Sequence, residues 1–443
     1  VIQSFDEFGL AEPIRRALQA ENHTAPTPIQ AQAVPRLLEG HDLLGIAQTG
    51  TGKTLAFTLP ILQKLAGYQG KRAPKAPQAL ILAPTRELAR QIHERVRAYG
   101  RYLHLKSTAI FGGVKQGPQV KALARGVDIL IATPGRLLDL HQQNHLRLDS
   151  VEILVLDEAD LMLDMGFVRD VRKIAAACGK DRQTLLFSAT MPPAIAKLAQ
   201  ELLDRPERVD VAPKTVAVER IDQHVHFISS RGKSQLLSEL LSDDAMDRVI
   251  VFTRTKRSAD RVCKHLRQGD VTAEALHGNK SQNARIRSLE DFKFGRVRVL
   301  VATDIAARGI DISAVSHVIN YELPNEPESY VHRIGRTARA GADGAAVSFC
   351  DHSERAQLRA IERLIRRQVP VASGSAEALE DEGRSKPGNR NGGNGKPAAP
   401  KRNRRRRSKP AAFGKPRSGA RRGSHGGSHG SSNNGARQAE IRA

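Results

Sequence analysis

The stretch "DLLGIAQTGTGKTLAF", residues 42–57, runs from a short apolar segment through two glycines into a helix-forming segment. Strand, loop and helix in that order are what a phosphate-binding loop requires. Within the pattern G-x-x-x-x-G-K-[ST], Gly52, Lys53 and Thr54 fit, and Ala47 stands where the first glycine would be. Gln48, Thr49, Gly50 and Thr51 form the rest of the loop. Gly50 and Gly52 let the backbone wrap close to a phosphate. The following helix N-terminus supplies N–H groups and positive potential. Lys53 can reach the outer phosphates of a nucleotide, and the Thr54 hydroxyl can ligate Mg²⁺.

A phosphate loop needs a carboxylate partner at the end of a neighbouring strand, and "VEILVLDEADLML" (151–163) supplies it. Four apolar residues, Ile153 to Leu156, lead straight into Asp157 and Glu158, with Asp160 behind. Three acids at the end of a core strand repel one another and are costly to bury. A bound cation stabilises such carboxylates as anions. Asp157 is therefore expected to hold the Mg²⁺, and Glu158 to orient and deprotonate an attacking water.

The same alternation of apolar strands and amphipathic helices extends along the body. Strand candidates are 42–47, 78–84, 107–113, 128–133, 152–157 and 184–189, then 223–229, 248–253, 271–278, 297–303, 316–321 and 344–350. Fully apolar strands separated by helices argue for parallel sheets covered on both faces. A polar segment separates the two groups. The expected organisation is a first domain over 1–209, a linker over 210–220, a second domain over 221–371 and a basic tail over 372–443. The tail is rich in Gly, Ser, Asn, Pro, Lys and Arg, a composition that cannot bury a core and reads as disordered.

The 443 residues carry a formal net charge of +23. From Arg384 to Ala443 there are 17 Lys or Arg against one acid, Glu440, so +16 of it resides in the tail. Such a polycation suits a polyanionic partner, most often nucleic acid. No run of 18 apolar residues argues for a membrane helix. Three isolated cysteines (Cys178, Cys263, Cys350) form no disulfide framework. With no leader legible, a reducing cytoplasm is the expected location.

"AQTGTGKT" (47–54), "DEAD" (157–160), "SAT" (188–190) and "HRIGRTARAG" (332–341) together resemble the DEAD-box family of RNA-dependent ATPases and helicases. The likeness covers residues 5 to about 350, with the motifs in order. It implies two tandem RecA-like α/β domains that bind ATP with Mg²⁺ and RNA across the cleft between them. The run "TRTKRSADRV" resembles the bacterial RhlE-like branch in particular. By resemblance, Gln30 in "TAPTPIQ" reads adenine, with Phe5 as the upstream aromatic. Where the family usually has Gly followed by Tyr or Phe, this chain has Asn22-His23, so His23 takes the stacking position. Asp160, Ser188 and Thr190 match the motif that couples hydrolysis to unwinding. Arg336 and Arg339 match the arginine fingers, His332 a connector to the ATP site, and Asp311 a ribose contact.

The resemblance also implies an RNA track. In the first domain it comprises Thr85, Arg86, Gly113, Thr133, Gly135 and Arg136. In the second it comprises Arg254, Gln282, Arg285, Thr303 and Asp304. Hydroxyls, guanidinium groups and backbone N–H groups contact the nucleic-acid backbone, so binding largely independent of sequence is expected. The tail run "KRNRRRRSKP" (401–410) adds a salt-sensitive tether. Single strands and short duplexes are the expected ligands, with ribosomal precursors or RNA-decay machinery as candidate contexts. Two other classes are a non-enzymatic ATP-gated RNA clamp and a DNA translocase. Intact Lys53, Glu158 and arginines weigh against the first, Gln30 and "DEAD" against the second.

Overall fold

A computed structural model describes residues 2–48, 50–67, 73–211, 221–307, 315–338 and 344–375. Among them are two seven-stranded sheets in which every pairing is parallel. The first contains β1 (Leu43–Ile46), β2 (Ala79–Leu82), β3 (Ser107–Ile110), β4 (Ile129–Ala132), β5 (Ile153–Leu156), β6 (Gln183–Ser188) and β7 (Glu207–Asp210). Their order is β3-β4-β2-β5-β6-β1-β7. The second contains β8 (Ile221–Phe227), β9 (Val249–Thr253), β10 (Ala273–Leu276), β11 (Val299–Thr303), β12 (His317–Asn320), β13 (Gly344–Cys350) and β14 (Val371–Ser373). Its order, β10-β11-β9-β12-β13-β8-β14, repeats that of the first sheet strand for strand. The two lobes share one topology, which the primary sequence did not betray as a repeat.

Period-two alternation explains why the central strands read as unbroken apolar runs. In β5, Ile153 and Val155 join one core with Leu59 and Ile92, while Leu154 and Leu156 join another with Leu137 and Ile174. Both faces are dry, so every position is apolar. Each such side chain contributes roughly 1.5–3 kcal/mol on burial.

The pattern did not reveal two of the four edge strands, β7 and β14. In β7 only Val209 is buried, and β14 is exposed throughout. β14 forms because β8 offers it an unpaired edge. Residues 372 and 373, grouped with the tail on composition, are thus part of the second sheet. Of the segment read as a linker, Asp210 ends β7, and 212–220 lie outside the described residues, as does the tail from 376. No helix among the described residues is long and apolar enough to cross a membrane.

Parallel sheets bind ligands beyond the carboxyl ends of their strands. Here β5, β6 and β1 are neighbours. The loops that follow them carry Asp157–Asp160, Ser188–Thr190 and Ala47–Thr54, so three distant sequence motifs share one edge.

Candidate active site

The helix Lys53–Ala66 starts at Gly52, whose φ of 97° is left-handed. A β-carbon there would lie 2.3 Å from Gln30 Nε2. The loop therefore needs glycine both for its turn and for its approach to Gln30. Gln30 Nε2 donates to the Gly52 carbonyl at 3.1 Å, and its Oε1 accepts from the Thr27 N–H at 2.9 Å. One amide thus ties the expected adenine reader to the phosphate loop. Each end keeps one further proton or lone pair for a ligand.

A cleft of about 480 Å³ opens over this loop. His23, Gln30, Lys53, Thr54, Asp157 and Glu158 line it. Lys53 is 5% exposed and Asp157 2% exposed. The Lys53 ammonium and Asp157 Oδ1 are both buried without a hydrogen-bond partner. An orphaned ammonium facing a phosphate loop and an orphaned carboxylate oxygen beside it fit a phosphate and a divalent cation respectively. Burial pushes the Asp157 carboxyl up to about 6; Lys53 opposes the rise, and Glu158 and Asp160 add to it. Glu158 sits at φ 54°, a left-handed conformation uncommon for a residue with a side chain. Such backbone strain clusters at functional sites.

Asp160 turns away from the cleft mouth. Its Oδ2 accepts from the N–H groups of Ala189 (3.1 Å) and Thr190 (2.9 Å) and from the Thr190 hydroxyl (3.0 Å). Its own N–H donates to Ser188 Oγ at 3.2 Å. The loops after β5 and β6 are thereby joined through the residues named for coupling.

His23 lines the cleft, but Phe5 does not. Phe5 is buried behind His23, edge-on to its ring at 6.3 Å. His23 Nε2 lies 3.1 Å from the Tyr99 hydroxyl. Burial, then Arg95, lowers the His23 pKa. Arg95 and Tyr99, which sequence reasoning missed, line the cleft beside His23. They lie on the helix Arg86–Tyr99, and nothing local in the sequence marks them as facing a nucleotide.

A second cavity, of about 530 Å³, gathers Thr85, Arg86, Thr133, Gly135 and Arg136 from the segments that follow β2 and β4 of the first lobe. Gly113 has φ 78°, and a β-carbon on it would lie 2.0 Å from Arg86 Nη1. That glycine is the space in which the guanidinium rests. Arg136 Nη1 is buried without a partner, although Nε lies 3.3 Å from Asp139. Thr133 caps the helix Pro134–Gln142 with no side-chain bond, whereas the Thr85 hydroxyl accepts from the Leu88 N–H at 3.2 Å.

The second-lobe residues are placed less simply. Gln282 and Arg285 reach the first lobe. Gln282 donates to Glu87 at 2.7 Å and accepts from Arg86 at 3.2 Å, and Arg285 lies 3.0 Å from Glu87. Arg285 also borders the second cavity. Glu87 is a further residue the sequence reading passed over, although it directly follows Arg86. Arg254 pairs with the buried Glu354 at 3.0 Å. Asp304 is held by Arg333 through two bonds of 2.5 and 2.7 Å. Thr303 ends β11 nearly buried. Arg254, Thr303 and Asp304 do not line the cavity.

Arg336 is 6% exposed and donates to the His332 carbonyl at 3.2 Å. Neither residue lines the nucleotide cleft; the second lobe contributes Lys293 there. Thr49, Asp311 and Arg339 lie outside the described residues.

Comparison with known proteins bears on this geometry. Residues 27–198 match the DEAD/DEAH box helicase model, and 232–341 match the helicase conserved C-terminal domain. The chain is 43% identical over 368 residues to the DEAD-box ATP-dependent RNA helicase CshA of Bacillus subtilis, covering 83% of this chain and 73% of that protein. Among solved structures it is similar to S. cerevisiae Dbp5 bound to RNA and ADP BeF3, with a TM-score of 0.73 and 32% identity, over 86% of this chain and 97% of that one. It is also similar to the DEAD-box helicase Mss116 bound to ssRNA and UDP-BeF, with a TM-score of 0.74 and 30% identity, over 85% and 81% of the two chains. The names of these relatives do not point to the RhlE-like branch.

Proposed function

The chain belongs to the DEAD-box helicase family, and from that premise we propose that it is an RNA-dependent ATPase that locally unwinds or remodels RNA by closing its two lobes. The observation that carries this reading is the pair of buried, unpartnered groups, Lys53 Nζ and Asp157 Oδ1, in a cleft next to the Asp160–Thr190 link. Lys53 and the start of its helix hold the phosphates, while His23 and Gln30 hold the base. Thr54 and Asp157 are the residues that would hold Mg²⁺, which when bound neutralises charge on the phosphates. Glu158 orients a water and accepts its proton, its backbone conformation fixing where the carboxylate points. The cavity containing Arg86, Gly135 and Arg136 takes the RNA backbone.

Arg336 sits away from the cleft, so hydrolysis requires the second lobe to move until its arginines meet the phosphates. An arginine delivered this way is worth roughly 10³–10⁵ in rate. RNA that contacts both lobes favours the closed arrangement, and so stimulates hydrolysis. Three buried free thiols suit work in a reducing cytoplasm. Which RNAs are remodelled, ribosomal precursors or decay substrates among them, is a matter for crosslinking in cells.

The test is ATP hydrolysis without nucleic acid, with RNA and with DNA, beside Glu158→Gln and Arg336→Ala. Strong stimulation by RNA alone, lost in both variants, is the expected result. Equal stimulation by DNA would point to a translocase, and RNA binding without turnover to a clamp. Full RNA-stimulated activity in Arg336→Ala would refute the cross-cleft arrangement.

A further inference from the structure

The last helix of the second lobe, Arg355–Ile365, carries a group of cations that the proposed function does not use. Residues 355–370 contain five arginines and no lysine. Leu358 and Ile361 point inward, packing with Ile221, Val225 and Cys350 of β8 and β13. Arg359 and Arg363, four residues and about 6 Å of helix axis apart, are exposed on the outer side. Arg366 and Arg367 follow at the helix end. With Ala356, Gln368 and one carboxylate, Glu362, whose Oε1 accepts from the Val369 N–H at 3.1 Å, they line a shallow concavity of about 870 Å³. Among the described residues, none of these four arginines is ion-paired with a carboxylate, whereas Arg172, Arg147 and Arg267 elsewhere on the surface are. Arg366 occupies the left-handed position that ends the helix, at φ 55°. Glycine is the usual residue there, because a side chain costs about 1 kcal/mol or more. Favourable interaction with the helix dipole is the ordinary reason for a cation at this place. It does not call for four guanidinium groups without an ion pair around one hollow; of the four, Arg363 donates to a carbonyl, that of Arg359, at 3.3 Å.

We propose that this arginine ledge is a second RNA-backbone site, separate from the cavity between the lobes. Guanidinium groups engage phosphates through paired N–H donors, which lysine cannot do. The ledge is seated over β8 and β13, toward the β14 edge of the sheet. The helix bearing Gln282 and Arg285 packs instead at the β10–β11 edge. Four strand spacings separate the β10–β11 pair from the β13–β8 pair, which puts the two sites ~19 Å apart across the sheet. In the sequence, the basic segment from Arg384 begins eleven residues after Ser373, the end of β14, and so comes shortly after the ledge. Duplex or structured RNA flanking the strand in the cavity would lie on it. The ledge would hold the substrate while the lobes open and close.

This inference rests on RNA being the substrate, and its test separates the two claims. Binding of the full-length chain is measured without nucleotide over a range of salt. The probes are a short single strand that fills only the cavity and the same strand joined to a long duplex. The variant is Arg359→Gln, Arg363→Gln and Arg366→Gln combined. The expected result is about a tenfold weaker Kd for the extended RNA and a salt slope reduced by about 2–3. Binding of the short strand, its stimulation of hydrolysis and the thermal midpoint should stay unchanged. The corresponding triple lysine variant should keep most of the salt slope but not the full affinity.

Unchanged affinity and slope for the extended RNA would overturn the ledge. So would an equal loss on both probes, or an acidic polypeptide that competes as well as the duplex and so marks a protein-docking surface. Absence of RNA-stimulated hydrolysis in the parent chain would instead count against the proposed function, and the binding measurement would still decide the ledge.

Discussion

Gly135 is surrounded by open space: a β-carbon there would meet nothing within 4 Å. Packing therefore does not demand glycine at this helix start, although the position borders the second cavity. Gly135→Ala should leave the thermal midpoint unchanged or slightly raised, since alanine favours a helix by up to about 1 kcal/mol. If the second cavity takes RNA as proposed, it should weaken RNA binding several-fold, because the added methyl would intrude on that path. Calorimetry and a binding titration on one preparation check both halves. His23 carries a different prediction. Its pKa is held below the ordinary 6.5, chiefly by burial and then by Arg95. Protonation thus favours the unfolded chain, and the group's contribution to stability falls away as pH drops below 6.5. In His23→Phe, the urea midpoint should change less between neutral and mildly acidic pH than in the parent. An identical pH dependence would show that the imidazole is not the titrating group. Residue identity was legible at both positions; the openness around one and the enclosure of the other were not.

At the level of elements, "HRIGRTARAG" divides its arginines between two jobs. Arg333 is 2% exposed, bonded to Asp304, to Asn320 at 3.1 Å and to the Glu322 carbonyl at 2.7 Å, and it lies over the Phe252 ring. It fastens the helix Pro327–Ile334 to the ends of β11 and β12. Arg333→Met should destabilise the second lobe by about 3 kcal/mol or more, since Asp304 and Asn320 lose a buried partner. Arg336→Ala should lower RNA-stimulated kcat by about 10³ or more, with a smaller loss of stability. Denaturation curves beside turnover rates separate the two. Arg336 falls in the turn just past the helix end, its N–H donating to the Arg333 carbonyl at 3.1 Å, and the spacing of three says nothing of which arginine faces its own sheet. The same holds for Asp304 and Arg254, whose residue types suited RNA and whose charges the fold employs internally.

For the whole molecule, charge and topology act together. Deleting residues 384–443 removes +16 of the +23 net charge. Affinity for RNA should fall, and the salt dependence should flatten, while RNA-saturated kcat persists; binding isotherms over several salt concentrations check this. The sequence by itself determined the class of fold, the central strands, the phosphate loop and the acids that face it. Those depend on local spacing and on strands dry on both faces, signals that survive in one dimension. Tertiary structure alone decided the edge strands β7 and β14, which pair through backbone groups and need no apolar pattern. It also decided that Glu87, Arg86, Gln282 and Arg285 clasp the lobes together, that Lys293 rather than Arg336 faces the cleft, and that four arginines on and just beyond the last helix border one hollow. These depend on which surfaces meet after folding. A charged residue type fixes what a side chain can bind, but only the packing around it fixes what it does bind.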